Sequence, residues 1–378
     1  MGKLLIVSWT LHPWPTGSSV IVNNIASQFS QDELVLYGEK YPNLDNREWD
    51  SNYPNIIYAD PRFTVNDKGY RYLKWLSTFR LIRELKKIVK SEGVSKILCI
   101  YPNEHYMYVC YKVSKALGIP MYSWFHNTYL DNVTGLFRKL ATVLQPKFFS
   151  HCQVNFVMSD GMRNYYKEAY PNITFRTLVH GFPLPANTGI SEVEHLDEKR
   201  TFLFVGSLNE SCRDATIRLI GTILKNPNYV VHAYTSAGPE EFSKYGVKGT
   251  NFEVRGFVPL QELYKIQRGY DVMLLPHGFD GDRTEVEYNT IFPTRTIPML
   301  VSGRPILCHS PKGAFLTSFI GQNKCGIIVD EKSEEKINHA ILELIEDSNK
   351  VDRIVANAWK SSEIFRLQRV VTNLKSLI

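Results

Sequence analysis

The feature that most constrains the fold of this chain is a regular alternation of short apolar runs with longer segments of helical periodicity. In the first half, runs of strand length occupy residues 4–8, 33–37, 97–101, 121–125 and 154–158. Short unbroken strands separated by helices are typical of parallel sheets joined by right-handed crossovers. We therefore predict a doubly wound α/β sheet for the first half of the chain.

The alternation is interrupted once, around residues 184–200, where polar and acidic residues replace the apolar ones. It then resumes with runs at 201–205, 229–234, 252–257, 272–276, 305–308 and 326–329. With 378 residues the chain is long enough for two domains, each with its own core. We predict a Rossmann-like domain over residues 1–185, a second over 186–355, and a C-terminal helix over 356–378 that packs back on the first domain.

Composition narrows the class of protein. The net charge of +6 is mildly basic, without the dense Lys/Arg patch of a nucleic-acid-binding protein, so we expect phosphate-bearing ligands or an anionic membrane surface rather than nucleic acid. The six cysteines lack CxxC or metal-binding spacing, which favours reduced thiols in a cytoplasmic protein. The apolar run after Met1 is too short for a signal peptide, and no stretch approaches the roughly 20 apolar residues that cross a bilayer.

Ligands of open parallel sheets bind beyond the carboxyl ends of the strands, so the loops there are the candidate site. In the first half, Gly17 and Ser18 begin a helix whose free amides suit an anion, with Ser18 and Ser19 as expected caps. His126 and Glu104 follow neighbouring strands, and we take both as candidate catalytic residues. The structural alternatives are a simple helix start, a core histidine and a helix cap. No GxGxxG motif is present, which disfavours a dehydrogenase.

In the second half, Gly206 and Ser207 end the first strand, and Arg213 follows near the start of a helix. A small residue at a turn with a guanidinium nearby suits a diphosphate, because arginine binds two oxygens at once. Thr294 and Arg295 precede another helical run, and we expect them to face the same kind of ligand.

Two further features receive structural explanations. Arg218, further along the helix that follows Arg213, is interpreted as a solvent-exposed arginine. The sequence Asp280-Gly281-Asp282 looks like a metal-binding Asp-x-Asp motif, but it lies among turn-forming residues. We predict an acidic turn there and assign no metal.

Taken together, these segments resemble the GT-B glycosyltransferases and, within them, glycosyltransferase family 4. The resemblance spans nearly the whole chain, and the order and spacing of its segments are more specific than any one of them. The segments that carry it are 17–19, His126, 156–166, 204–208, 254–259, 270–276, 292–295 and 302–307. It implies two Rossmann-like domains that face a cleft.

The resemblance also implies an activity and a set of site residues. The protein would transfer a sugar from a nucleotide-sugar donor to a saccharide or lipid-linked acceptor, with retention of anomeric configuration and without a metal or cofactor, by positioning and by stabilising charge on the leaving diphosphate. It places His126 beside the transferred sugar. It implies that the donor is bound by Gly17, Ser18, Ser207, Arg213, Gly256, Phe257, Val258, Thr294 and Arg295.

The sequence departs from the family where many members carry two glutamates, since Thr290 and Pro298 occupy those positions. Glu285 or Glu287 could substitute, although we interpret both as surface charges. Arg213 lies one residue from the family's usual basic position. These departures keep two alternatives open, a nucleotide-sugar epimerase and a non-catalytic sugar-nucleotide-binding or scaffolding protein.

Residues 72–87 form a basic, aromatic, amphipathic stretch, and residues 135–140 are similar. Such a stretch suits peripheral contact with an anionic membrane that carries a lipid-linked acceptor. An ordinary surface helix with its apolar stripe on the sheet is the explanation that we favour. The resemblance suggests polysaccharide or glycolipid biosynthesis in the cytoplasm or at the inner face of the membrane.

Overall fold

A computed structural model describes residues 2–12, 14, 16–40, 53–59, 63, 67–186, 199–280 and 285–378. The chain divides into two compact units. Unit 1 comprises Met1–Pro183 and Leu367–Ile378, and unit 2 comprises Leu184–Arg366. Within the described part of the chain, no helix has the length and apolar character needed to span a membrane.

Unit 1 contains a seven-stranded sheet with the strand order β3-β2-β1-β4-β5-β6-β7, and every pair of neighbours is parallel. Its central strands are almost fully buried because helices cover both faces. The strands are β1 (Lys3–Thr10), β2 (Leu34–Glu39), β3 (Asn55–Ala59), β4 (Val94–Tyr101), β5 (Met121–Phe125), β6 (Asn155–Val157) and β7 (Phe175–Thr177).

The described residues of unit 1 up to Pro183 form six α-helices, and short 3-10 turns occur at Lys74–Ser77 and Leu130–Asn132. Several begin directly after a strand, so their N-termini lie at the carboxyl edge of the sheet. The helices are α1 (Gly17–Ala26), α2 (Tyr70–Leu73), α3 (Thr78–Ser91), α4 (Glu104–Leu117), α5 (Gly135–His151) and α6 (Asp160–Ala169).

Unit 2 contains a six-stranded parallel sheet with the order β10-β9-β8-β11-β12-β13. Its strands are β8 (Arg200–Val205), β9 (Tyr229–Tyr234), β10 (Phe252–Val254), β11 (Val272–Pro276), β12 (Ile306–His309) and β13 (Ile327–Val329). Its helices are α7 (Arg213–Ile223), α8 (Pro239–Ser243), α9 (Leu260–Gln267), α10 (Glu285–Thr290), α11 (Thr296–Leu300), α12 (Phe315–Asn323), α13 (Glu334–Glu346) and α14 (Ser348–Ser362).

The predicted architecture of two doubly wound parallel sheets is confirmed. The last helix, α15 (Leu367–Leu377), returns to unit 1, where Leu367, Val370 and Leu374 are buried in the same core as Ile25. We predicted that the returning segment spans residues 356–378, whereas residues 356–366 belong to unit 2. There Trp359 of α14 packs against Val301, and the segment that returns begins at Leu367.

Candidate functional site

The predicted site residues occur at the carboxyl edges of the two sheets, one edge in each unit. In unit 1 they follow strands β1, β4 and β5, which are neighbours in the sheet. In unit 2 they follow β8 and β10 or immediately precede helix α11. Side chains that follow neighbouring parallel strands meet at one edge, so each unit can assemble its own group of polar residues.

Helix α1 is capped by Thr16 and not by the predicted serines. The Thr16 hydroxyl accepts a hydrogen bond from the Ser19 amide (3.2 Å) and also contacts the Thr10 hydroxyl at the end of β1 (3.0 Å). Thr16 lies one residue before the helix, and its hydroxyl provides the acceptor that the Ser19 amide lacks within the helix. Ser18 therefore keeps its hydroxyl for another partner.

That partner is His126, so the structure brings two of the predicted residues together. A hydrogen bond of 2.9 Å joins Ser18 Oγ and His126 Nδ1. His126 directly follows β5, and its amide donates to the carbonyl of Tyr101 at the end of β4 (3.1 Å). The side chain of His126 is thus fixed from both the sheet and the first turn of α1.

His126 lies in a buried group that includes a second histidine, His180, which the sequence analysis did not single out. The two imidazole centroids are 4.9 Å apart, and both rings pack near Trp124. Burial lowers the pKa of His126 well below its usual value, with His180 as a second cause, and burial lowers the pKa of His180 to about 3. Both imidazoles are therefore neutral at neutral pH.

Each of these imidazoles retains an Nε2 atom that is buried and has no hydrogen-bond partner among the described residues. A neutral imidazole nitrogen either donates or accepts, depending on the tautomer. Unpaired buried polar atoms are costly in the absence of a ligand. The edge of unit 1 therefore offers uncharged hydrogen-bonding groups, which suit hydroxyls better than phosphates.

Glu104, the second candidate catalytic residue, is neither a helix cap nor a free carboxylate. Asn103 caps helix α4, accepting from the amide of His105 (3.0 Å). The Glu104 carboxylate instead forms an ion pair of 2.8 Å with Lys74, and both side chains are largely buried. The structure therefore gives Glu104 a partner that the sequence did not indicate.

A second buried carboxylate, Glu39, ends strand β2 at this edge. It accepts hydrogen bonds from the hydroxyls of Tyr106 (3.0 Å) and Tyr70 (3.2 Å). Burial raises its pKa, although these donors act in the opposite direction. Sequence analysis missed Glu39 because the residue lies at the end of an apolar strand with no motif around it.

In unit 2 the structure brings Gly206 and Arg295 into contact. Gly206 follows β8 with a φ of +116°, and a Cβ added there would lie 3.3 Å from Nη1 of Arg295. The Arg295 guanidinium also lies 5.6 Å from the ring centroid of Phe204. Its Nη1 atom is buried and lacks a hydrogen-bond partner among the described residues. A cation held in place with a donor unused is suited to an anionic ligand.

The other predicted phosphate-binding residues of unit 2 are arranged differently. Arg213 begins helix α7, and its guanidinium lies over the ring of Tyr245, 5.6 Å from the centroid. Ser207 is exposed, and its hydroxyl accepts a hydrogen bond from the Asn209 amide group (3.1 Å). Thr294 is half-buried just before α11. Only Arg295 is placed directly against the glycine of the loop.

The helix that follows Arg295 is short. Helix α11 has five residues, so it adds little dipole to the positive charge of Arg295. Pro298 is buried within α11, and Thr290 is buried at the end of α10 with its hydroxyl donating to the carbonyl of Val286 (2.7 Å). The two positions that hold glutamates in many family members are thus apolar or internally bonded.

Glu287 is buried, with 4% of its surface exposed, and the prediction that it is a surface charge is wrong. It lies in the short helix α10, whereas Glu285 at the start of that helix is exposed. A carboxylate is therefore buried inside unit 2 near the Thr290 position.

The loop after β10 presents Gly256, Phe257 and Val258 at the same carboxyl edge. Gly256 has a φ of +74°, a conformation that glycine adopts without strain. Phe257 is 78% exposed. A large exposed ring can stack on a flat ligand, and the implied contact to a nucleotide base stays a prediction.

Arg218 is not the solvent-exposed arginine that we predicted. Its Nη1 donates to His309 Nε2 (3.0 Å), and its Nη2 pairs with Asp214 (3.4 Å). The Asp214 carboxylate in turn accepts from the amides of Phe279 and Asp280 after β11 (3.0 and 3.1 Å). Arg218 therefore ties helix α7 to the ends of two strands.

The predicted acidic turn at residues 280–282 is described only in part. Asp280 forms an ion pair with Lys332, while Gly281 and Asp282 lie outside the described residues. Across the described residues there is no group of three or more His, Cys, Asp or Glu side chains that could hold a metal ion.

No protein-family model matches this sequence, and no curated protein matches it either. Solved structures match along the whole chain. Sucrose-phosphate synthase from Thermosynechococcus elongatus has a TM-score of 0.77 at 13% identity, covering 100% of this chain and 98% of that one. Anabaena HepE in complex with UDP-glucose has a TM-score of 0.69 at 13% identity, covering 100% of both chains. A glycosyltransferase from Rickettsia africae has a TM-score of 0.70 at 10% identity, covering 100% and 97%.

At these identities the similarity concerns the fold. Two parallel-sheet α/β units of seven and six strands are the GT-B architecture of these neighbours, and the GT-B part of the predicted resemblance is confirmed. Membership of glycosyltransferase family 4 stays a prediction.

Proposed function

We propose that this chain is a retaining glycosyltransferase that transfers a hexosyl group from a nucleotide-sugar to a saccharide or lipid-linked acceptor. The observation that carries the proposal is the Arg295 guanidinium, whose buried Nη1 atom lies against Gly206 and has no hydrogen-bond partner among the described residues. It occupies the carboxyl edge of a sheet whose fold is shared with a protein solved with UDP-glucose. We propose a uridine diphosphate sugar as the donor on that ground.

Unit 2 would bind the nucleotide part of the donor. Gly206 lets the Arg295 guanidinium lie against the backbone of the loop, where it would bind a phosphate, and Ser207 supplies an exposed hydroxyl in the same loop. Phe257 would stack on the base. Negative charge grows on the diphosphate as the glycosidic bond breaks, and a guanidinium already in place stabilises it. The guanidinium supplies the positive charge that a metal ion supplies in other architectures, so we propose a reaction without metal or cofactor.

Unit 1 would contact the transferred sugar through His126. Its pKa lies well below neutrality because the ring is buried, so His126 is poorly suited to act as an acid or base that changes charge. A neutral imidazole held by Ser18 can instead hydrogen-bond a sugar hydroxyl and position it. Glu104 would act through Lys74, because the two are paired. We propose a role in cytoplasmic polysaccharide or glycolipid biosynthesis.

A non-catalytic sugar-nucleotide-binding protein is the second candidate. The observation that favours it is the absence of carboxylates at Thr290 and Pro298, both of which are buried. The buried Glu287 nearby argues for an enzyme that uses a displaced carboxylate. Turnover distinguishes the two proposals, since both require donor binding.

The first test is thermal stabilisation by UDP-, GDP-, dTDP- and ADP-sugars. A ligand at a hundredfold excess over its Kd stabilises the native state by about 2.7 kcal/mol. We expect stabilisation by UDP-sugars that is lost in Arg295→Ala and retained in Arg353→Ala, which removes the same charge from an exposed position of helix α14. No stabilisation by any of the four would contradict the proposal.

Product analysis then separates the remaining candidates. A transferase consumes the UDP-sugar at an appreciable rate only when an acceptor is present. An epimerase yields an altered sugar nucleotide without one, and a binding protein shows stabilisation without turnover on any acceptor.

A further inference from the structure

Unit 1 leaves four large apolar side chains on its surface where its helices begin. Tyr72 is 61% exposed, Leu76 63%, Phe79 88% and Leu136 67%. Burying side chains of this size is normally worth about 1.5–3 kcal/mol each, so leaving several together in water is unfavourable. We call these four residues the apolar patch.

Three of the four residues share one face. Helix α2, the 3-10 turn Lys74–Ser77 and helix α3 follow one another without a break, and the spacing of Tyr72, Leu76 and Phe79 places them on one side. The ring of Tyr72 lies 5.0 Å from that of Phe137, the neighbour of Leu136 in the first turn of α5. The apolar patch therefore extends across two elements.

The apolar patch is distinct from the stripe that attaches the helix to the sheet. Leu81 and Leu85 of α3 are fully buried, and Ile88 is nearly so. These residues account for the ordinary surface helix that we favoured from sequence. They leave Phe79 unexplained, because it lies on the side that faces water.

Cations surround the apolar patch. Residues 70–91 contain seven Lys or Arg and one Glu, and α5 contains three and no acidic residue. The guanidinium of Arg71 lies 3.9 Å from the ring centroid of Phe137. The exposed members beside Arg71 are Arg83, Lys87, Arg138 and Lys139.

We propose that the apolar patch and its cations bind the surface of an anionic phospholipid bilayer. Aromatic and aliphatic side chains enter the boundary between headgroups and acyl chains, while Lys and Arg pair with lipid phosphates. A second copy of the chain fits this surface poorly, because a symmetric contact would set two rings of cations against each other. The charge of the surface thus selects an anionic occupant.

The inner side of the same segment reaches the carboxyl edge of the sheet. Tyr70 donates to Glu39 (3.2 Å) and Lys74 pairs with Glu104 (2.8 Å), and each lies two residues before an exposed member of the apolar patch, Tyr72 and Leu76 respectively. If the proposed transferase activity is correct, a lipid-linked acceptor would meet the protein beside Glu104. Bilayer binding itself does not depend on that activity.

The test is sedimentation of the full chain with vesicles of phosphatidylcholine alone or mixed with phosphatidylglycerol, without donor or acceptor. We expect binding only to the mixed vesicles, and weaker binding at high salt. Leu76→Ser with Phe79→Ser should weaken the binding at least tenfold. Arg83→Gln with Lys87→Gln should weaken it by about fivefold for each charge removed. Leu342→Ser, at a half-exposed position of α13 in unit 2, is the matched control and should have no effect.

Three outcomes would overturn the proposal. They are no binding to the mixed vesicles, binding that persists in Leu76→Ser with Phe79→Ser, and self-association of the chain in sedimentation velocity that the same variant abolishes. The last would identify a second copy as the occupant. Because all five substituted residues are exposed, unchanged melting temperatures should show that the variants fold.

Discussion

The carboxyl edges of the two sheets differ in the charge of the groups that they hold in place. In unit 1 the fixed groups are the neutral imidazoles of His126 and His180, and the acidic Glu104 is already paired. In unit 2 the fixed group is the guanidinium of Arg295, with one donor unused. The two sheets have the same architecture, but the edge of unit 1 is suited to ligand hydroxyl groups and the edge of unit 2 to anionic groups.

The difference arises from what each sheet packs around its edge. Aromatic rings enclose the histidines of unit 1, and burial keeps them uncharged. In unit 2 a glycine with positive φ makes room for the arginine, whose guanidinium is a permanent cation. The comparison suggests three measurements.

The largest expected effect is a loss of stability in acid in both units. His180 has a pKa of about 3, and His277 and His309 of unit 2 have pKa values of about 4, whereas an unfolded histidine titrates near 6.5. Below 6.5 the unfolded chain binds more protons, so each histidine removes up to about 1.4 kcal/mol of unfolding free energy per pH unit until its folded pKa is reached. Urea unfolding at pH 7 and at pH 5 measures the loss.

A single substitution in unit 1 shows how much of the acid-induced loss of unfolding free energy arises there. His180→Phe removes one titrating group from unit 1 and leaves His277 and His309 in place, so the pH dependence should become shallower without vanishing. Equal unfolding free energies at pH 7 and pH 5 in the unsubstituted protein would contradict the neutral, buried state of these histidines.

The second effect concerns catalysis. His126→Ala should lower kcat by about a hundredfold, because it removes a positioned contact to the transferred sugar. Stabilisation by the UDP-sugar should survive, since its phosphates are assigned to unit 2. Ser18→Ala, which removes only the hydrogen-bond partner of His126 Nδ1, should lower kcat about tenfold. If His126→Ala abolished donor stabilisation as fully as Arg295→Ala does, the division of labour between the edges would be wrong.

The smallest effect is a difference in unfolding free energy between variants at two arginines of helix α7. Arg218→Met should lower the unfolding free energy of unit 2 by about 2 kcal/mol, because it leaves Asp214 and His309 without their partner. Arg213→Met, five positions earlier in the sequence, should change it by less than about 0.5 kcal/mol. Urea unfolding of the two variants checks the difference, and a comparable loss in both would contradict the network around Arg218.

Much of the fold could be predicted because the central strands appear in the sequence as continuous apolar runs. Strands β1, β4 and β5 are buried on both faces, and their sequences show it. Two edge strands, β3 and β7, were missed. They are short, have a neighbour on only one side, and are only partly buried, so their sequences lack a continuous apolar pattern.

The candidate site was less predictable because its contacts join residues that are distant in sequence. His126 and Ser18 are 108 positions apart, and Arg218 and His309 are 91 apart. Position after a strand was enough to select His126 and Gly206. It could not indicate that Lys74 would pair with Glu104, or that His180 would join His126, because those partners follow from three-dimensional packing.

The return of helix α15 to unit 1 has a consequence for biosynthesis. Unit 2 is continuous in sequence, whereas unit 1 needs residues 367–378, which are translated after the whole of unit 2. Until they emerge, the surface around Ile25 and Gly181 that Leu367 and Val370 cover is open to water. The second unit therefore has its full sequence available before the first, and damage to residues 367–378 falls on the unit that holds residues 1–183.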